Sequence, residues 1–553
     1  MMHGVKNMKR HLEYPQCSVY ENIRQNAEQY GKASAVEYFG RTITYAELIR
    51  EIERTACALT AAGVKKGDSV SICLPNIPQA IYLFYAVSRI GAVSNMIHPL
   101  SAEDEIINDI RLTKSRFIFA LDLIADKLEK VAAKTELDLA VTVSAADGMS
   151  PLMKAGYFLK SLKDPAPRSG FMNWKCFLVM GDSADAELPP DHGKADDCAA
   201  ILYSGGTTGK PKGIMLTNLN FNALALQSID ACGCLAKGDR VLSVMPVFHG
   251  FGLGVCIHTV LTVGATAVIL PKFNVKEFDK LIFKYRPNVI AGVPAIYEAM
   301  LRSRAFQGQS LDFIRCVVSG GDSLAANTKI KLNEMLRSHG CKCTVREGYG
   351  LTECVTGSCL TPDGCTISET CGLPYADTDY RIVDPETGEE VPVGETGEIV
   401  LSGPTVMKGY YNEPEETAQT LRRDAEGKVW LHTGDLGYQD ENGYIYFRQR
   451  LKRMIVSNGY NIYPQNIENV ISSHAQVAMC AVVGVPDAQR GQIAKAYVML
   501  RGDCSEEQMY TELMHLMKKS VAAYAIPKEI IFVNSFPKTL VGKIAYNELI
   551  AEG

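Results

Sequence analysis

The 553-residue sequence contains no recognisable export signal, membrane span or nucleic-acid surface. The opening stretch MMHGVKNMKRHLEYP carries basic residues but no apolar core, which predicts no signal peptide. The most apolar run, residues 80–97, is broken by Ser88 and Arg89 and is too short to cross a bilayer. A net charge of −5 and a pI near 6.1 leave no basic patch, so nucleic acid is not expected as a partner. Among 17 cysteines there is no CxxC pair. Without an export signal they read as reduced thiols of a cytoplasmic protein. Cys354, Cys359, Cys365 and Cys371 crowd together, but their spacing matches neither zinc nor iron–sulfur patterns. No internal repeat and no long low-complexity run is present.

What remains is an ordinary globular composition, 47% hydrophobic and 22% charged, long enough for a sizeable core. Helical and strand periods alternate. TITYAELIREIERTACALTAAGV (42–64) is a helix with Thr44 as N-cap, SVSICLPN (69–76) a strand, AIYLFYAVSRIGAV (80–93) a helix and RFIFALD (116–122) a strand. VIAGVPAIYEAML (289–301) and CVVSGGDSL (316–324) repeat the strand-then-helix order. The pattern predicts an α/β fold with a mostly parallel sheet. Residues 140–195 are rich in Pro, Asp and Ser and include the amphipathic MSPLMKAGYFLKSL (149–162). They read as a surface excursion, with peripheral contact to lipid as the alternative. From Asp379 short alternating strands and turn glycines predict a small β subdomain to about residue 450. A compact α+β tail follows, over 451–553.

The stretch YSGGTTGKPKG (203–213) has the composition of a phosphate loop but not the Walker count GxxxxGK[ST]. Ser204 stands where the first glycine belongs, and Pro211 where Ser or Thr belongs; Pro211 also argues against a helix starting there. Its glycines still let backbone N–H groups approach an anion, and Lys210 and Lys212 add charge. A mobile surface loop is the other reading. In YGLTE, Tyr349 offers a flat ring, Thr352 a hydroxyl and Glu353 a hard oxygen ligand for a cation such as Mg²⁺.

YSGGTTGKPKG closely resembles the phosphate-loop signature of the AMP-forming acyl-CoA synthetases, within the adenylate-forming superfamily of luciferases and peptide-synthetase adenylation domains. The motifs expected after it follow in order: PVFHGFG (246–252), SGGDSL (319–324), EGYGLTE (347–353), TGEIVLSGPTVMKGYYN (396–412), HTGDLG (432–437), FRQRLKRMIVSNGYNIYPQNIE (447–468) and PKTLVGK (537–543). The resemblance implies a large N-terminal domain of mixed and parallel α/β subdomains plus the β subdomain, over 1–450. It also implies a small mobile C-terminal domain over 451–553. The implied reaction joins a carboxylic acid to the α-phosphate of ATP with Mg²⁺, releasing pyrophosphate. The thiol of CoA then displaces AMP.

By the same resemblance Ser204, Gly205, Gly206, Thr207, Thr208, Gly209 and Lys212 hold ATP phosphates. Gly320 and Gly321 line the adenine, Tyr349 stacks near it, and Gly350 shares that nucleotide wall. Thr352 contacts the α-phosphate and Glu353 holds the metal. Asp435 and Arg450 hold the ribose, although a lone Asp between glycines is also a common turn residue. Lys543 is the catalytic lysine of adenylation, placed where negative charge crowds in the transition state. His249 positions the acid at the mouth of the acyl pocket. Lys452 is the hinge, and Gly459 lines the tunnel for the thiol.

The sequence departs from the pattern at Gln449, Arg453 and Ala545-Tyr546. Amino-acid-activating relatives carry an Asp just after the aromatic of PVFHGFG; here His249 follows Phe248, so a free amino acid is not expected. The loop spelling and the 149–162 insert favour a medium- or long-chain fatty acid, with an aryl or bile-type acid second. A ligase that loads a carrier protein and a non-catalytic binder are the rival classes. A dimer is compatible with the sequence.

Overall fold

The computed structural model describes residues 11–161, 170–182, 188–203, 212–274, 277–457, 460–487, 489–502, 504–538 and 544–551. Two large mixed sheets and two small ones carry the chain, of nine, eight, five and five strands. In the nine-stranded sheet Val345–Tyr349, Cys316–Ser319, Val289–Gly292, Arg240–Ser243, Thr266–Ile269 and Ser34–Tyr38 run parallel, side by side. The eight-stranded sheet has an equivalent parallel run, from Cys198–Tyr203 through Val93–Met96 and Ser69–Cys73 to Phe117–Leu121 and beyond. Ligands of such sheets sit at the carboxyl ends of the parallel strands. Here those ends feed directly into PVFHGFG, SGGDSL and YGLTE.

Local chemistry sets the elements as the periods predict. Thr44 caps the helix Tyr45–Ala61: its hydroxyl accepts from the Glu47 amide at 3.2 Å. The Glu47 carboxylate accepts from the Thr44 amide at 2.9 Å, which closes a capping box. Pro78 opens the helix Pro78–Ile90, and Gly91 ends it in the left-handed region at φ +77°. That helix is buried on every face, which explains its apolar run without a membrane. No described helix is long and apolar enough to cross one.

The helix Pro151–Ser161 lies on the surface with Leu152, Phe158 and Leu159 largely exposed. From Asp379 to Arg450 the chain forms an antiparallel five-stranded sheet. From Ile455 it builds a separate five-stranded sheet, packed on the helices Pro464–Ser472 and Glu506–Ser520.

Thr44→Ala removes one half of the capping box. The expected loss is about 1 kcal/mol of stability, read as a lower urea midpoint at unchanged slope.

Candidate active site

HTGDLG is not a turn. Asp435 sits inside the eleven-residue strand Val429–Gln439, directly opposite Arg450 on the strand Ile445–Arg450. This corrects the turn reading: Gly434 takes φ +67° within the strand, and the backbone continues past it. The cross-strand register brings Arg450 Nε to 2.9 Å from Asp435 Oδ1, a carboxylate only 1% exposed. Tyr349, at the end of its parallel strand, donates its hydroxyl to Asp435 Oδ2 at 2.6 Å. Burial and the Asp435 charge push the Tyr349 phenol well above its usual range, so it remains a donor. Burial works against the Arg450 charge, but Asp435 and the nearby Tyr349, Glu353 and Tyr410 hold it above its ordinary value. Phe447 stacks on Tyr349, with ring centroids 6.0 Å apart and planes at 27°.

A second chain of contacts starts from the antiparallel pair Cys198–Tyr203 and Gly213–Thr217. Tyr203 and Gly213 pair across it. Lys212 emerges over the Tyr410 ring at 5.0 Å and contacts Glu416. The Tyr410 hydroxyl donates to Glu353 Oε1 at 2.9 Å. The Met407 amide donates to the Glu353 carbonyl at 2.8 Å, fixing the backbone of that residue. Thr352 opens the short turn Thr352–Cys354 beside it.

The turn after Glu353 is strained. Val355 takes φ +64° and ψ −58°, and the Thr356 amide donates to the Cys354 carbonyl at 2.8 Å. This is a γ-turn of the rare hand on a β-branched residue, a conformation that costs about 1–3 kcal/mol. Two glycines accommodate it. A Cβ at Gly250 would stand 1.6 Å from the Val355 carbonyl oxygen, and one at Gly350 1.6 Å from that of Thr356. The turn thus seats PVFHGFG, with His249, directly against the strand end that carries Tyr349.

Past Gly250 the chain winds as a π-helix, Phe251–Thr259, a wide coil that concentrates at functional sites. His258 anchors it: Nδ1 lies 3.0 Å from the Tyr85 hydroxyl and Nε2 lies 3.0 Å from Asn222 Oδ1. Burial pushes His258 down to about 3, so the imidazole is neutral. The ring of His249 packs beside Phe248 at 5.0 Å. The ring of Phe251 lies against Gly320, whose amide donates to Gly292 at 3.0 Å, and Gly321 follows at φ +79°.

The structure therefore brings Lys212, Glu353, Tyr349, Asp435 and Arg450 into two linked chains. Gly350 and Thr352 follow Tyr349 in the chain, Gly320 lies beside Gly348 and Phe251, His249 precedes the Gly250 contact with Val355, and Gly321 packs near Val293. Ser204, Gly205, Gly206, Thr207, Thr208, Gly209, Gly459 and Lys543 lie outside the described residues, as does the side chain of Lys452 in the turn Leu451–Arg453. Lys538 and Ile544, which bracket the segment holding Lys543, form an antiparallel bridge. Sequence reasoning missed Tyr410, Phe447 and Val355: two ordinary aromatics and one valine, distinguished only by where the fold puts them.

Arg453 is explained by its own domain. It bonds Glu468 at 2.6 Å, covers the Tyr546 ring at 3.8 Å and so neutralises a buried carboxylate. Gln449 is fully buried in the strand before it, its amide without a hydrogen-bond partner among the described residues.

A buried carboxylate met by Arg450 and Tyr349, the Phe251 ring against Gly320 and the Glu353 carboxylate thus gather where the parallel strands end. The model of the AMP-binding enzyme family matches residues 23–411, and that of the AMP-binding enzyme C-terminal domain matches 466–543; the chain belongs to this family. A long-chain-fatty-acid–CoA ligase of Bacillus subtilis (strain 168) is 32% identical over 552 residues, covering 98% of this chain and 95% of the relative. A feruloyl-CoA synthase of Amycolatopsis sp is 35% identical over 530 residues, 94% of this chain and 95% of the relative. ATP-bound MatB from Rhodopseudomonas palustris superposes with a TM-score of 0.83 at 28% identity, over 97% of this chain and 99% of that one. The protein is an AMP-forming acid–thiol ligase, of the class that works with ATP, Mg²⁺ and CoA.

Asp435→Ala removes a buried charged acceptor and frees Arg450 and Tyr349. The dissociation constant for AMP is expected to rise at least about tenfold in a calorimetric titration, since a charged hydrogen bond contributes about 1.5–3 kcal/mol.

Proposed function

We propose that the protein activates a hydrophobic carboxylic acid, a medium- or long-chain fatty acid first, and passes the acyl group to CoA. In the first step an oxygen of the acid's carboxylate attacks the α-phosphorus of ATP and pyrophosphate leaves with the bridging electron pair. In the second the CoA sulfur attacks the acyl carbon, AMP departs, and the thiol proton goes to solvent. Asp435 and Arg450 hold the ribose between two strands, Tyr349 faces the adenine across from Gly320 and Gly321, and Thr352 meets the α-phosphate. The observation that carries this reading is the Tyr349–Asp435–Arg450 arrangement, which joins three separate motifs into one polar cluster.

The donor set at Glu353 suits a hard cation: a carboxylate oriented by Tyr410, beside the cationic Lys212. Bound there, Mg²⁺ supplies charge neutralisation at the phosphates. We assign the phosphate wrap to residues 204–209 with Lys212, charge stabilisation at the α-phosphate to Lys543, and the acid's entry to His249. The domains divide after Arg450, where one antiparallel sheet ends and the next begins. Lys452 is the pivot and Gly459 the wall of the thiol tunnel, so that rotation exchanges Lys543 for CoA between steps. The seventeen free thiols favour the cytoplasm.

An aryl acid is the second reading. It is supported by Phe251, whose flat ring stands against Gly320, and by the feruloyl-CoA synthase relative.

Lys543→Ala is expected to slow acid-dependent AMP formation at least about 100-fold while leaving AMP affinity within a few-fold. Rates within a few-fold of wild type would remove Lys543 from the chemistry. Glu353→Gln should raise the Mg²⁺ concentration needed for half-maximal rate. A panel of straight-chain, cinnamic and benzoic acids, scored by AMP and acyl-CoA formation, separates the two substrate readings. Pyrophosphate release without CoA consumption would instead indicate a carrier-protein acceptor.

A further inference from the structure

Three thiols converge at the amino ends of the strands whose carboxyl ends lead to Gly320 and Tyr349. The helix Asn218–Cys232 ends at Gly233 in the left-handed region, φ +65°, and the reversal sets Cys234 beside Cys232. The parallel strand Cys316–Ser319 begins at the same spot. Cys232 Sγ lies 3.3 Å from Cys234 Sγ and 3.4 Å from Cys316 Sγ, and all three sulfurs fall within 4.8 Å of one another. Cys316 is buried, while Cys232 and Cys234 are partly open, so solvent reaches the cluster from one side.

A buried cation stands over it. Arg346 is 3% exposed, and its guanidinium donates to the carbonyls of Cys232 at 2.8 Å, Ala231 at 2.7 Å and Thr361 at 2.6 Å. All three partners are neutral, and no carboxylate pairs with it among the described residues. A buried charge of this kind calls for a counter-charge.

We propose that Cys232, Cys234 and Cys316 form a three-thiolate site for a soft divalent metal ion of the zinc group. Three thiolates and a divalent cation leave one negative charge, which Arg346 cancels. Bonds of about 2.3 Å in tetrahedral geometry need sulfurs about 3.8 Å apart, so the two separations from Cys232 widen by only about half an ångström on binding. Each coordinated thiol gives up its proton to solvent. The fourth position faces the open side at Cys234.

The site is distinct from the catalytic one. Cys316 and Arg346 lie near the amino ends of adjacent parallel strands whose carboxyl ends lead into Gly320 and carry Tyr349. The ion would pin the helix end to the amino end of an interior strand of the nine-stranded sheet, with a solvent ligand in the fourth position.

The test uses the full-length protein, reduced and metal-free, titrated with Cd²⁺ while the ultraviolet sulfur-to-cadmium band is followed, and then competed with Zn²⁺. One equivalent is expected to bind with the band of three thiolates. Cys234→Ser and Cys316→Ser should weaken it at least tenfold, whereas Cys341→Ser/Cys343→Ser, at the neighbouring thiol pair, should keep it. Cys234 is partly exposed, so its serine variant decides the matter if Cys316→Ser fails to fold. An undiminished band in Cys234→Ser overturns the site. So does a disulfide at Cys232, seen as the loss of two hydrogens by mass spectrometry in protein that takes up no metal.

Discussion

The site rests on a carboxylate that the fold has taken out of water. Asp435 is nearly inaccessible in the middle of a strand, and Arg450 and Tyr349 meet its charge from two other directions. Arg450 is its cross-strand neighbour, so the pairing register sets their separation. A one-residue slip would turn every side chain of the strand to the other face. Arg450 is also the last residue of its strand, one position before the turn Leu451–Arg453 that leads into the C-terminal sheet. The group that pairs with the buried carboxylate thus stands at the exit from the N-terminal region.

Strain and close packing complete the opposite wall. The γ-turn at Val355, the glycines at 250 and 350 and the π-helix that follows Phe251 meet at one contact. None of these is favourable alone. Together they let two backbones approach without side chains between them, which brings the PVFHGFG loop against the end of the strand that carries Tyr349. The buried Tyr85–His258–Asn222 bonds hold the π-helix from behind. Stability is given up at the site and recovered in the core.

The C-terminal region has its own internal electrostatics. Arg453, a departure from the family pattern, answers the buried Glu468 and lies on Tyr546, tying the first turn of the domain to its last helix. The change consolidates the small domain as one body. Gln449, buried without a hydrogen-bond partner among the described residues, is the weak polar spot on the strand before the turn.

Much was legible in the sequence because it rests on local rules. The capping box at Thr44 and Glu47, the alternation of strand and helix, and the glycines after parallel strands all follow from a few neighbouring residues. The family resemblance carried by the motifs also marked Tyr349, Glu353, Asp435 and Arg450 before any geometry was known. Other features depended on residues distant in the chain. Asp435 reads locally as a turn residue and became a strand residue because Arg450 pairs with it. Tyr410 joined the site through a hydroxyl aimed at Glu353, 57 positions away. Cys232 and Cys316, 84 positions apart, share no spacing a motif could register, yet the sheet and helix bring their sulfurs together. The sequence by itself determined which elements form and which chemical groups are available. Tertiary structure decided which of those groups meet, since burial and register are properties of the packed chain.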